Sequence, residues 1–279
     1  MEIFMILADQ HTHSNFSSDS EAAPESMIQG AIESGLTQLT LTDHMDLDYP
    51  GTTAEKPLFV FNTTDYFAAL TPLKEKYNDK LYLGIGIELG LRPGREDLNK
   101  QMHQLLADYP FDFVLGSLHL LDNDDPYYEA YWENHSAKDV LTKYFNDMLT
   151  ALKEYDNFDS LGHLDYLIRY IPSFCGKKDY ALKEYKEALD EIFKLLIQKN
   201  KALEINTAGL IKGLPCFHPK LEVLKRYLEL GGELLTIGSD GHSPDKIATE
   251  FVKTEELLKT CGIKGYHVYR NRQPEFVSF

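Results

Sequence analysis

A chain of 279 residues, 43% of them hydrophobic, is long enough to bury one large core or two smaller ones. Its 28 basic against 44 acidic residues leave a formal net charge of −16, and no Lys/Arg cluster stands out, which argues against nucleic-acid and anionic-membrane surfaces. Three cysteines, Cys175, Cys216 and Cys261, form no Cys-x-x-Cys pair and no apolar run approaches ~20 residues, so reduced thiols in a soluble, cytoplasmic protein are expected.

Strand-like and helix-like stretches alternate along the chain. Residues 3–8, an apolar run, read as a buried strand leading into Asp9-Gln10-His11-Thr12-His13-Ser14. After a polar loop, Pro24 opens a helix whose apolar face is Met27, Ile28, Ala31 and Ile32, and Gly35 stops it. Residues 36–42 form a second strand ending at Asp43-His44. Residues 45–63, with Pro50, Gly51 and Pro57, make a loop of the length expected for a lid over a site. A helix over 64–77 leads to a strand over 81–87 that ends at Glu88. A helix over 95–107 precedes a strand over 111–117 ending at His119, and a helix over 137–155 precedes 159–162, ending at His163. A long helix over 180–199 leads to 202–206, and a helix over 220–230 leads to 233–239, which ends at Asp240-Gly241-His242. A helix over 245–258 and a short extended piece complete the chain.

Seven strand–helix units without a linker or repeat imply a single α/β domain over residues 1–279, its parallel sheet closed into a barrel. In such barrels chemistry collects at the C-terminal ends of the strands. Six of the seven strands carry His, Asp or Glu at that end, and the other carries Glu204 and Asn206. Two imidazoles spaced like His11 and His13 point to one side of an extended chain, where they can grip one ion.

The series His11-x-His13, Asp43-His44, Glu88, His119, His163 and Asp240-x-His242 resembles the polymerase-and-histidinol-phosphatase (PHP) family of metal-dependent phosphoesterases. The match spans nearly the whole chain in the family's order, and it implies a distorted (β/α)7 TIM-like barrel with two or three divalent metals. The stretch 9–20, the segment Gly162-His163-Leu164-Asp165 with Arg169-Tyr170, and the stretch 203–210 are similar to the histidinol-phosphatase branch. Members of that branch hydrolyse L-histidinol phosphate to L-histidinol and phosphate in histidine biosynthesis.

Residue by residue, the resemblance implies three metal positions. The first takes His11, His13, Glu88 and Asp240; the second takes Glu88 as a bridge with His119 and His163; the third takes Asp19, His44 and His242. Asp19 stands where many relatives have a histidine. Mixed nitrogen and oxygen ligands fit zinc, manganese or iron. Such cations invert the local sign of an acidic protein and admit a phosphate monoester dianion. A hydroxide bridging two metals then attacks phosphorus, and Asp240, His242 or a bound water protonates the leaving alkoxide.

Arg169 is the expected phosphate clamp, and Lys212 a second cationic contact. Ser117 and Ser239 either orient substrate or fit crowded strand ends; Glu204, beside Asn206, either receives the substrate's ammonium group or pairs inside the barrel. Asp43 is expected to support His44. His103, His135, His218 and His267 read as surface or structurally satisfied residues, and the aromatic stretch 127–132 either walls the pocket or packs. Two other classes stay open: a phosphoesterase acting on phosphotyrosine or nucleotides, and a non-catalytic metal-binding protein. An exonuclease is disfavoured without a basic groove. The oligomeric state is open.

Overall fold

The two ends of the sheet are joined by the residues that carry the chemistry. The computed structural model describes residues 6–53, 56 and 58–279. Its strands are β1 (Ala8–Thr12), β2 (Gln38–Leu41), β3 (His44–Met45), β4 (Tyr82–Gly90), β5 (Phe113–Ser117), β6 (Ser160–Leu161), β7 (Ala202–Asn206) and β8 (Leu235–Gly238). They form one parallel sheet in the order β1-β2-β4-β5-β6-β7-β8, with the two-residue β3 paired to β4. The Asp240 amide donates to the His11 carbonyl at 2.8 Å and the His13 amide to the Gly241 carbonyl at 2.8 Å, closing the gap between β8 and β1 at the C-terminal mouth. The result is a nearly closed, distorted (β/α)7 barrel of single-domain type, as the strand count implied.

Helices cover the outside: α1 (Pro24–Glu33), α2 (Thr63–Lys76), α3 (Glu96–Asp108), the short α4 (Glu129–Trp132), α5 (Ala137–Glu154), α6 (Leu182–Gln198), α7 (Ala208–Ile211), α8 (Leu221–Glu229) and α9 (Phe251–Thr260). Their sequences explain them. In α5, Val140, Leu141, Tyr144, Phe145, Met148, Ala151 and Leu152 recur three or four apart and form the buried stripe, while the Ser136 hydroxyl accepts the Asp139 amide at 3.1 Å as an N-cap. Asn62 caps α2 in the same way, accepting the Asp65 amide at 3.1 Å.

The N-terminal end of the barrel is closed by a hairpin, β9 (Gly265–Arg270) and β10 (Gln273–Ser278). The Gln10 side chain pairs with the edge of β9, donating to the His267 carbonyl at 2.8 Å and accepting the Tyr269 amide at 2.7 Å. Tyr269 then packs with Phe113, Leu115 and Ala202. What read as a short extended piece is therefore the floor of the barrel.

Two boundaries differ most from the sequence expectations. The first strand lies on Ala8–Thr12 rather than on residues 3–8, of which 3–5 fall outside the described residues. Its buried polar side chains have partners across the barrel, so burial does not require an apolar run here. The last helix begins at Phe251, not at 245, because Ala248 (φ 55°) and Glu250 (φ 66°) break it after a 3-10 turn over Pro244–Lys246. Arg169 sits on a 3-10 turn, Tyr166–Tyr170. The loop over 45–63 contains undescribed positions, Pro57 among them, yet its Asp46 amide donates to the Phe59 carbonyl at 2.7 Å and fixes the two ends together.

Candidate metal centre and cavity

Each expected ligand but Asp19, which stands in the loop after β1, lies where a strand runs out at the mouth, and the register explains how they meet. Pairing of β3 with β4 sets His44 opposite Glu88, and their side chains touch, Nδ1 to Oε2 at 2.9 Å. Glu88 is fully buried and central. Its Oε2 lies 3.3 Å from His11 Nε2 and 3.6 Å from His13 Nε2; its Oε1 lies 3.1 Å from His163 Nε2 and 3.3 Å from His119 Nε2. Asp240 Oδ1 lies 3.4 Å from His13 Nε2 and 3.7 Å from His11 Nε2. At the outer edge, Asp19 Oδ2 is 3.1 Å from His242 Nε2 and 3.7 Å from His44 Nε2.

Close packing at the strand ends leaves no room for extra atoms. A Cβ on Gly238 would collide with the His11 side chain, and one on Gly90 with the Asp46 carboxylate. His163 (φ 36°) and Asp240 (φ 56°) hold left-handed backbone, which costs on the order of 1 kcal/mol or more each and persists only where the surroundings impose it.

Both Glu88 oxygens, His44 Nδ1, His163 Nδ1 and Asp46 Oδ2 are buried without a hydrogen-bond partner. Buried polar atoms are ordinarily bonded, so the orphaned Glu88 oxygens, with His44 Nδ1 and the Nε2 atoms of His11, His119 and His163 around them, are the arrangement a bound cation would complete. The donor atoms of His11, Glu88 and His163, of His11, His13 and Asp240, of His44, Glu88 and His119, and of His13, His44 and His242 each lie within 4.8 Å of one another. The carboxylates are already in the ligating form, and the imidazoles divide. Burial pushes the Glu88 carboxyl up, but the charges of His11, His44 and His119 outweigh it and hold the group well below its usual range. Asp240 is held down in the same way, burial being overcome by His11, His13 and Arg169. Burial, aided by His242 and His44, pushes His13 down to about 3, and burial also lowers His163, so these two imidazoles stay neutral. Burial is outweighed at His11, His44, His119 and His242 by the neighbouring carboxylates Glu204, Glu88, Asp46 and Asp19, which raise these imidazoles above their usual value. Neutral imidazole is the form that ligates metal, so these four would release protons to a bound cation.

Supporting contacts fix the rings. Glu204 Oε1 lies 2.7 Å from His11 Nδ1, and Ser17 Oγ lies 3.1 Å from His13 Nδ1. The Asp43 carboxylate is not on the His44 ring, as had been expected. It accepts the amides and hydroxyls of Ser14 and Ser17, and so acts on the His13 side. Sequence reading missed Asp46, whose Oδ1 lies 2.8 Å from His119 Nδ1 and whose Oδ2 lies 3.5 Å from His44 Nδ1. Its signal was available in the spacing His44-x-Asp46, which places both side chains on one side of an extended chain.

Above this floor opens a cavity of about 580 Å³. Of the expected substrate contacts, Arg169 and Lys212 line it. Ser117, Glu204 and Asn206 do not: Ser117 is sealed against Gly162, and Glu204 and Asn206 lie behind His11, bonded to each other at 3.2 Å. Buried pairing, not contact with the cavity, is what the barrel gives Glu204. Arg169 lies against the edge-to-face pair Tyr166 and Tyr170, 5.3 and 5.0 Å from their centroids, with both terminal nitrogens 3.4 Å from Asp240 Oδ2. The aromatic stretch is divided: Tyr127 and Tyr128 line the cavity, whereas Tyr131 and Trp132 are core. His218 is fully buried, with Nδ1 2.6 Å from Asp165 Oδ1, and is not a surface residue.

Comparison with known protein families matches residues 9–208 to the PHP domain. The chain belongs to the PHP family. A family relative from Clostridium acetobutylicum described as a probable histidinol-phosphatase is 34% identical, covering 92% of this chain and 94% of its own. The histidinol-phosphatase of Lactococcus lactis subsp. lactis is 32% identical over 91% of each chain. A crystal structure of the Lactococcus histidinol phosphate phosphatase, complexed with zinc, L-histidinol and phosphate, superposes with a TM-score of 0.84 at 29% identity, covering 96% of this chain and 98% of that one. A second structure, from Listeria monocytogenes, shares the fold with a TM-score of 0.75 at 22% identity, over 88% of this chain and 99% of that one.

Proposed function

We propose that this chain hydrolyses L-histidinol phosphate to L-histidinol and phosphate, as a metal-dependent phosphoric monoester hydrolase of histidine biosynthesis. The observation that carries the reading is the cavity itself, which sets orphaned buried donors at its floor, a guanidinium beside them and aromatic rings on its walls. Relatives with that activity, matched over nine-tenths of both chains, support the same substrate.

We assign the donors to three positions, His11, His13, Glu88 and Asp240; Glu88, His119 and His163; and Asp19, His44 and His242, a partition supported by the close approach of these atoms around Glu88 and of Asp19 to His242. Two or three divalent cations held there, of zinc, manganese or iron, would neutralise the phosphate dianion and acidify an attacking water. Arg169 turns its fork from Asp240, where 3.4 Å is a long contact, to two phosphate oxygens, and the Tyr166 and Tyr170 rings beside it favour the guanidinium charge there. Asp240 and His242, side by side at the mouth, are the groups that can deliver a proton to the leaving alkoxide oxygen. Lys212, exposed at the rim, adds positive charge along the approach. The tyrosine walls suit an imidazole ring. Among the described residues no helix is long and apolar enough to cross a membrane, and Cys175, Cys216 and Cys261 are free thiols, which supports a cytoplasmic setting.

Chelation followed by add-back tests the reading. Hydrolysis of histidinol phosphate is expected to disappear with the metal and to return with zinc or manganese. Its kcat/KM should exceed those for phosphotyrosine and nucleoside monophosphates by roughly 100-fold or more. Full activity after chelation, or a better rate on phosphotyrosine, overturns it.

A further inference from the structure

Four carboxylates line the cavity: Asp19, Asp46, Asp125 and Asp240. Three of them face imidazoles or Arg169, and belong to the floor already described. Asp125 does not. Among the described residues no Lys, Arg or His nitrogen lies within 4.0 Å of its carboxylate. Its contacts are with neutral donors, the Tyr49 hydroxyl at 2.6 Å on Oδ2 and the Tyr127 amide at 2.8 Å on Oδ1. Each oxygen therefore keeps acceptor capacity.

The side chain is placed by a tight turn after β5. The Leu121 amide donates to the Asp124 carbonyl and the Asp124 amide to the Leu121 carbonyl, both at 2.9 Å, with Asp122 (φ 50°) and Asn123 (φ 64°) at the bend. Aromatic rings surround it: Tyr49 packs on Phe59 at 4.5 Å, and Tyr127 packs on Tyr128 and Tyr170 at 5.2 and 5.1 Å. A half-buried, uncompensated carboxylate among ring faces is a site for an organic cation, because charge and ring quadrupoles favour the same ligand. The floor, in contrast, is arranged for an anion.

We infer that Asp125 is the specificity residue that receives the ammonium group of the substrate while the phosphate rests on the floor. This rests on the histidinol-phosphate reading, since that substrate carries an ammonium three bonds from its phosphorylated oxygen. Glu204, the acidic residue that sequence alone offered for this role, is occupied with His11.

The test compares L-histidinol phosphate with its amine-free analogue, 3-(imidazol-4-yl)propyl phosphate, on zinc-loaded protein. A pH of about 8 keeps imidazole neutral and the amine charged. The wild type is expected to favour the amine by kcat/KM, and Asp125→Asn to shrink that ratio roughly 10- to 100-fold, the size of one hydrogen bond to a charged group. Asp125→Glu should restore part of the ratio, which a merely structural role would not do. An unchanged ratio in Asp125→Asn, equal losses on both substrates, or a wild-type ratio near one overturns the inference. Absence of wild-type turnover on histidinol phosphate instead sinks the underlying reading, so the two failures are told apart.

Discussion

The two ends of this barrel treat buried charge in opposite ways. At the N-terminal end every buried carboxylate of the floor has its partners. Asp112 accepts from Lys74 Nζ at 2.6 Å, the Tyr82 hydroxyl at 2.7 Å and the Ile85 amide at 2.8 Å; Asp159 accepts from Arg272 at 3.0 Å and the Val114 amide at 2.8 Å. At the C-terminal mouth Glu88, fully buried, has none by hydrogen-bond geometry. Satisfied polar groups hold a fold together, whereas orphaned ones raise its energy until something outside the chain completes them. The difference separates residues that stabilise from residues that bind.

That contrast can be broken at either end, and the largest effect is expected at the mouth. Glu88→Gln should lower kcat/KM by about 1,000-fold or more and reduce the metal content of the purified protein, as several kcal/mol of charge stabilisation disappear; activity and elemental analysis check it. A Glu88→Gln protein with normal metal and rate would end the contrast. Arg169→Ala should lower kcat/KM by roughly 100-fold while leaving metal content intact, and Arg169→Lys should recover little because the planar fork is lost.

At the other end the readout is stability. Asp112→Ala leaves the Ile85 amide unbonded and a half-buried lysine without its carboxylate, and should cost about 2 kcal/mol in urea unfolding with kcat of the folded enzyme changed little. The smallest effect is a pH dependence. Burial, opposed by the Arg272 bond, raises Asp159 above the ordinary carboxylate value of 3.8. Between that value and its higher native one, the folded state binds more protons than the unfolded state. Stability from this group is therefore present below the window and is lost as pH rises through it. Asp159→Asn should flatten that part of the stability profile, measured by urea midpoints across pH; a parallel shift at all pH values would contradict the assignment.

Much of the mouth was legible in advance because a parallel barrel gives each strand's last residues a common destination. His119, His163 and Asp240 follow apolar strand cores closely enough that a βα rhythm locates them. Asp46, Ser17 and Asp125 were not found. They act from loops, and loop geometry depends on contacts such as the Asp46–Phe59 and Leu121–Asp124 backbone bonds, which no periodicity encodes. Asp43 was placed on the wrong neighbour, and the choice between the two roles of Glu204 stayed open, for the same reason, since the direction of a strand-end side chain is set by what lies across the barrel.

Sequence by itself determined the alternation of strand and helix, hence the parallel barrel, and the identity of the nitrogen and oxygen donors at its strand ends. Those are consequences of local periodicity and of residue chemistry. Only the tertiary structure decided which donors share a cation-sized gap, which acids stand behind them, and that Asp125 faces the cavity with no positive partner among the described residues. Such facts arise from atoms hundreds of residues apart brought within a few ångströms, where burial and neighbouring charge, rather than residue type, set what a side chain does.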